Sequence, residues 1–162
     1  MGLDIVVIEN VKKVESEEDT IFTAYVIDSA WEHKIKNLEQ GAKYEGDIYN
    51  TGVSYPYSYH TYFRKRLLEL INRHDLIDAN DQIKWEQIGK EPYFPFKELI
   101  DFADNEGCLD WETNEKLYKE FIEYDSLAKI FEDDESDFYE FYKAWREVFE
   151  IGRNKNSVVI FW

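Results

Sequence analysis

The chain has 162 residues, of which 44% are hydrophobic and 17% aromatic, and it carries 35 Asp and Glu residues against 19 Lys and Arg residues, for a net charge of −16. This apolar content excludes general disorder, and the length predicts a single globular domain over residues 1–162. The charge argues against direct binding of duplex nucleic acid, because phosphates would be repelled.

Two further features bear on location. No apolar run approaches the roughly 20 residues that span a bilayer, and the first residues lack the basic region of a secretory signal. The single cysteine, Cys108, excludes an internal disulfide and any multi-cysteine metal site. We therefore expect a cytoplasmic protein that does not enter a membrane.

The first third of the chain predicts extended structure. Apolar and β-branched residues predict strands over residues 3–11 and 20–28, spaced as an antiparallel hairpin or meander, and the unbroken IVVI run predicts burial on both faces. Helical spacing between residues 31 and 38, followed by a glycine, predicts a short helix. A further short extended piece is expected around Gly46.

Helical spacing of apolar residues dominates the remainder. Ser58 precedes the clearest case and is expected to cap a helix that begins near Tyr59. Gly152 stands where a helix is expected to end, and the final SVVIFW run predicts a strand beside the N-terminal strands. The predicted helices cover residues 59–73, 82–89, 95–103, 110–124 and 136–151. This order predicts an α+β fold with about four to five helices on one face of a small antiparallel sheet.

A tyrosine-rich segment, residues 54–64, leads into the first long helix. Backbone N–H groups at a helix N-terminus form a natural anion site, tyrosine rings add flat surfaces with a polar tip, and a nearby arginine can bind a carboxylate or a phosphate. The alternative is a tyrosine-rich loop that packs on the sheet, with Ser58 only a cap. The candidate ligand-binding residues here are Tyr57, Ser58, Tyr59, His60 and Arg64.

A second unusual segment, residues 99–111, contains an acidic turn. Asp104 and Glu106 flank a turn that Gly107 closes, and these three complete the candidate ligand-binding residues. The two carboxylates can bind a cation together with backbone carbonyls, or hold Arg64 in place, although the spacing lacks the pattern of an EF-hand. The alternative is a helix-ending turn with carboxylates that face solvent.

Other catalytic or metal-binding patterns are missing from the sequence. The three histidines do not follow a metal-ligand spacing, so neither a metal site nor a cofactor is expected. Cys108 has no base beside it and is expected to be a small buried hydrophobic residue. Because no set of nucleophile, base and oxyanion donor can be recognised, we assign no catalytic residue.

Four short segments link the chain to a known pattern: MGLD at the start, then YPYSYHTYFRKRL, ELIDFADNEGCL and VVIFW. Through them the chain resembles a family of uncharacterised small bacterial and phage-type proteins that carry SYSGYNxWRExL-like and ELINFSDCEGxIG-like segments. The chain departs from that family at His60, Asn105 and Trp162. The resemblance implies no activity, but it implies one local cluster of Tyr57, Ser58, Arg64, Asp104, Glu106 and Gly107.

Three functions follow as hypotheses. The leading one is binding of a small polar or anionic ligand, nucleotide-like, in an aromatic and arginine-lined cleft between the Ser58 helix and the Asp104 turn. The second is an acidic interaction module, or phage-type inhibitor, that masks a basic partner, because residues 132–140 hold six carboxylates; the alternative there is ordinary solvated turns. A metal-assisted hydrolase using Asp104 and Glu106 is placed last. A monomer or a homodimer is compatible with all three.

Overall fold

The computed structural model describes residues 2–24, 35–101, 107–131 and 136–162. Five strands lie within these ranges: β1 (Gly2–Val14), β2 (Phe22–Thr23), β3 (Lys43–Pro56), β4 (Gly107–Asp110) and β5 (Val158–Phe161). They form one antiparallel sheet in the order β2-β3-β1-β5-β4. The N-terminal and C-terminal strands are therefore neighbours, as predicted.

Six α-helices lie within the same described ranges: α1 (Tyr57–Leu70), α2 (Trp85–Lys90), α3 (Lys97–Ile100), α4 (Trp111–Glu123), α5 (Asp125–Phe131) and α6 (Phe138–Gly152). Each contributes at least one buried side chain to a single core against one face of the sheet. This arrangement confirms the α+β class. In the described part of the chain, no helix combines the length and the apolar character that crossing a membrane requires.

The sheet buries apolar side chains on both faces. Leu3, Ile5 and Val7 of β1 point into the main core, whereas Val6 and Ile8 point into a smaller cluster on the opposite face. Because successive residues of a strand face opposite sides, the IVVI run supplies both clusters. The predicted burial on both faces is confirmed.

The strand pairing differs from the predicted hairpin. Only Phe22 and Thr23 of the predicted strand over residues 20–28 are in a described strand, and they pair with β3 rather than with β1. β1 pairs along almost its whole length with β3 and, on its other side, with β5. Residues 25–28 and Trp31, which belonged to the predicted strand and helix, lie outside the described residues.

Two irregularities interrupt the pairing of β1 with β3. At one, Gly52 has a φ of 72° and the Thr51 hydroxyl donates to the carbonyl of Ile5 at 2.6 Å. At the other, Asn10 has a φ of 54°, and a Cβ on Gly46 would lie 2.5 Å from a methyl of Ile8. Between them, Val6–Glu9 pair in regular register with Asp47–Asn50. These bulges leave a regular stretch of four residues in the middle of β3.

Gly152 is the last residue of α6, not the residue beyond it as predicted. Its helix end approaches α4 and β5 closely, because a Cβ there would lie 2.7 Å from Val159 and 3.0 Å from the Asn114 amide nitrogen. That amide nitrogen donates to the carbonyls of Gly152 and Leu109. The glycine is therefore required for close packing rather than for a turn conformation.

Candidate functional site

The start of α1 does not use Ser58 as a cap. The helix begins at Tyr57, directly after Pro56, which ends β3 with a φ of −61° and a ψ of 147°. No side chain caps the helix, and Ser58 lies exposed in its first turn. The expected Ser58 cap is wrong because β3 runs without a loop into α1, which leaves Ser58 inside the helix.

His60 lies in the core, in a chain of hydrogen bonds with Tyr55 and Trp145. The Trp145 indole N–H donates to the Tyr55 hydroxyl at 2.6 Å, and that hydroxyl lies 3.1 Å from Nδ1 of His60. The Tyr55 hydroxyl therefore links the two rings, while Nε2 of His60 is buried and has no hydrogen-bond partner among the described residues. Burial lowers the pKa of His60 well below its ordinary value, and the charge of Arg64 lowers it further.

Arg64 is also turned inward, with only 4% of its surface exposed. Its Nη1 donates to the carbonyl of Ile100 at 3.1 Å, at the end of α3. The guanidinium carbon lies 4.4 Å from the centroid of the Trp85 ring, in cation–π contact. Arg64 thus ties α1 to the end of α3 and to Trp85 of α2.

The two tyrosines of the predicted site reach the surface in part. Tyr57 and Tyr59 are half-buried against the main core, and the Tyr59 ring packs 4.3 Å from that of Phe141, centroid to centroid. Burial, followed by the influence of Tyr62 and Asp137, raises the pKa of Tyr59 to about 12. Both tyrosines serve as packing surfaces between α1 and the adjoining core.

The acidic half of the predicted site can be placed only in part. Gly107 is the first residue of β4, where it is buried and pairs with Phe161. Asp104 and Glu106 lie outside the described residues. Arg64 links α1 to the end of α3, directly before this segment. The pairing of Arg64 with Asp104 or Glu106 stays a prediction.

A polar cluster that the sequence analysis missed lies between α3 and α4. The carboxylate of Glu120 accepts the Tyr93 hydroxyl at 2.5 Å and the backbone N–H of Phe96 at 2.8 Å. Lys116 forms an ion pair with Glu98 and lies 3.9 Å from Glu120. Burial raises the pKa of Glu120. These contacts hold the segment before α3 against α4. Within that segment, Phe96 adopts a left-handed conformation with a φ of 63°, which is uncommon for a residue other than glycine.

One signal could have revealed this cluster. Glu120 stands three residues after Leu117 and one before Phe121, on the buried face of α4. A carboxylate within an apolar helical stripe needs a buried partner, because an uncompensated charge in the core is costly. Sequence reasoning passed over it because carboxylates are so numerous in this chain.

A shallow groove of about 180 Å³ lies between residues of β2, the start of β4 and the end of β5. Of the described candidate residues, Gly107 lines this groove, whereas those of α1 do not. Pockets for small ligands are usually larger, at roughly 300 Å³ or more. Within the described ranges, no three His, Cys, Asp or Glu residues are grouped so that they could hold a metal ion.

Exposed carboxylates are a prominent feature of the described surface. Four of them belong to α6 or immediately precede it: Asp137, Glu140, Glu147 and Glu150. At least eleven of the 19 Lys and Arg residues already form ion pairs within the protein. The surplus of negative charge therefore faces solvent.

Comparison of the chain with protein-family models, with curated proteins and with solved structures finds no match. The resemblance carried by the four short segments stays a prediction, and the function is argued from the residues of this chain.

Proposed function

We propose that the protein is an acidic interaction module that binds a basic protein partner through the outward face of α6. The observation that carries this proposal is the row of exposed carboxylates along that face. Glu140, Glu147 and Glu150 recur at helical spacing, and Asp137 precedes them at the helix start. The helix is about 22 Å long, so the row is long enough to contact a partner's surface.

Within the described ranges, the basic residues of α6, together with Arg153 directly after it, pair with one carboxylate of this row. Arg146 pairs with Asp125 of α5, and Arg153 pairs with Glu115 of α4 at 3.3 Å. Both arginines therefore bind α6 to its neighbouring helices. Lys143 alone pairs within the row, with Glu140. In the sequence, four further acidic residues, 132–135, come shortly before α6.

The alternative of a small anionic ligand depends on Arg64 and His60. Arg64 is engaged by Ile100 and Trp85, and His60 is neutral and buried, so neither presents a charge at the surface. An anion site would have to displace these interactions and their packing. The exposed carboxylates need no such rearrangement, which is why we prefer a basic partner.

The proposal is tested with a fluorescent peptide of about ten lysines, because ten extended residues span about 33 Å and so exceed the length of α6. We expect the triple variant Glu140→Gln, Glu147→Gln, Glu150→Gln to weaken binding about tenfold or more, which corresponds to about 1.4 kcal/mol. Affinity is measured by fluorescence anisotropy over a series of NaCl concentrations, because screening should weaken binding.

The matched control is the triple variant Glu17→Gln, Glu39→Gln, Glu86→Gln. It removes the same number of exposed carboxylates, each from a surface ion pair away from α6. This control should retain most of the affinity. If both triple variants weaken binding equally, the peptide senses only the net charge, and the proposed role of the α6 face is wrong.

A further inference from the structure

Among the described residues, the outer edge of β3 is open over most of its length. β1 pairs with β3 from Lys43 to Pro56, but β2 pairs with the other side of β3 only at Lys43 and Tyr44. In the described part of the chain, no other strand pairs with that side. An open strand edge presents backbone N–H and C=O groups that a second extended chain can bind.

The regular stretch between the two bulges is the accessible part of this edge. All four residues of Asp47–Asn50 are exposed, and they keep an unbroken register against Val6–Glu9. In an antiparallel strand, residues alternately direct their N–H and C=O groups to one neighbour or to the other. Two of these four residues therefore direct both backbone groups outward, where a new strand would bind.

The side chains of this stretch differ between the two faces of the sheet. Asp47 and Tyr49 share one face, on which Asp47 lies directly opposite Glu9 of β1. Ile48 points to the other face and is 53% exposed. The Asp47 carboxylate accepts the Asn10 side-chain amide at 2.8 Å but keeps its negative charge opposite that of Glu9, so a cation placed beside the two carboxylates is favoured. The exposed ring of Tyr49 offers the same cation a π face.

We infer that β3 binds an extended segment of the basic partner as an additional strand, and that this segment alternates basic and aliphatic residues. The basic side chains lie beside Asp47, Glu9 and Tyr49, and the aliphatic ones lie beside Ile48. The inference rests on the proposed function for the basic character of the partner. A second copy of this chain is a poor occupant, because each copy carries a net charge of −16.

The test compares two peptides of about ten residues, a length typical of strands, with the same composition. In one, Arg alternates with Val; in the other, all Arg residues precede all Val residues. We expect the alternating peptide to bind about tenfold more tightly, and binding to slow hydrogen exchange at alternate amides of Asp47–Asn50. An alternating peptide with two adjacent central N-methylated residues should lose this advantage, because each edge of the peptide then lacks one N–H.

Protein variants locate the contact. Ile48→Lys and Asp47→Lys should each weaken binding of the alternating peptide about tenfold. Glu86→Lys, a charge reversal at an exposed position of α2, should weaken it much less. The inference is overturned if the two peptides bind equally, or if the peptide slows hydrogen exchange in α6 instead of in β3. Binding of oligolysine through α6 would still support the proposed function in that case. If sedimentation shows that the protein self-associates and Ile48→Lys abolishes this, the occupant of the edge is a second copy and the inference is wrong. If neither the peptides nor oligolysine bind at low salt, the proposed function fails as well.

Discussion

Tyr55 satisfies two buried nitrogen atoms at once, since its hydroxyl accepts from the Trp145 indole and forms a hydrogen bond with Nδ1 of His60. The substitution Tyr55→Phe keeps the ring and leaves both nitrogens without a partner. Each such loss costs about 1–3 kcal/mol, so we expect the free energy of unfolding to fall by about 2–4 kcal/mol in urea denaturation. Tyr49→Phe, at an exposed tyrosine, is the control and should change it by less than about 0.5 kcal/mol. Equal effects of the two substitutions would contradict this role of Tyr55.

His60 makes stability depend on pH. Because burial lowers its pKa in the folded state, the unfolded chain binds a proton first as the pH falls. The stability from the neutral imidazole is complete above the unfolded pKa of about 6.5, and it is lost below that pH at up to about 1.4 kcal/mol per pH unit. Asp110 and Glu120, whose pKa values burial raises, have the opposite effect, as the folded state holds their protons.

The contribution of His60 is isolated by comparing variants between pH 8 and pH 5. We expect the decline in the free energy of unfolding to be shallower in His60→Phe than in the unchanged protein. In His74→Gln the decline should persist, because His60 remains. A decline of the same slope in His60→Phe would show that other groups cause it.

The sequence predicted which residues gather at the start of α1, but not which of their side chains point to solvent and which point to the core. Tyr57, Ser58 and Tyr59 reach the surface as a ligand site would require, whereas His60 and Arg64 turn inward. Spacing along α1 places His60 and Arg64 on one face, four residues apart, and both side chains are buried in the interior. Whether such a face meets solvent or core depends on tertiary packing, which local pattern does not contain.

At the scale of elements, the close approach of α6 to α4 and β5 depends on Gly152. We expect Gly152→Ala to lower the free energy of unfolding by about 1–3 kcal/mol, because its Cβ has no room. Gly89→Ala in α2 is the matched control, as nothing lies within 4 Å of its Cβ position. There the better helix propensity of alanine should raise stability by up to about 1 kcal/mol. Chemical denaturation measures both, and opposite signs are the expected result.

The elements that were predicted are those with strong periodicity. The apolar stripes of α1, α4 and α6 and the β-branched runs of β1 and β5 all correspond to observed elements. β3 was predicted only as a short piece, because Gly46 and Gly52 interrupt it and its middle is exposed on both faces. β4 is not predicted as a strand, since four residues that include a glycine carry little pattern; Gly107 belongs to the predicted turn and Asp110 to the predicted helix. α5 was missed because only Ala128 of its seven residues is buried.

At the scale of the whole molecule, a net charge of −16 opposes folding through self-repulsion. Raising NaCl from about 0.01 M to about 1 M shortens the Debye length from about 30 Å to about 3 Å, so we expect the free energy of unfolding to rise. In the double variant Glu147→Gln, Glu150→Gln the rise should be smaller, because the net charge falls to −14. Lys143→Gln, with a net charge of −17, should show a larger rise. A flat salt response in all three proteins would mean that ion pairs offset the repulsion.

The sheet joins the two ends of the chain at its middle. Asp4 and Trp162 exchange both of their backbone hydrogen bonds at 3.0 Å, and β5 is the strand that links β4 to the rest of the sheet. During synthesis, β1 can pair with β3 early, but its other edge can pair only after β5 has been made. The contact between β1 and β5 joins residues that are 150 or more positions apart in the sequence, from Ile8 with Val158 to Ile5 with Phe161, and such a separation favours slow folding.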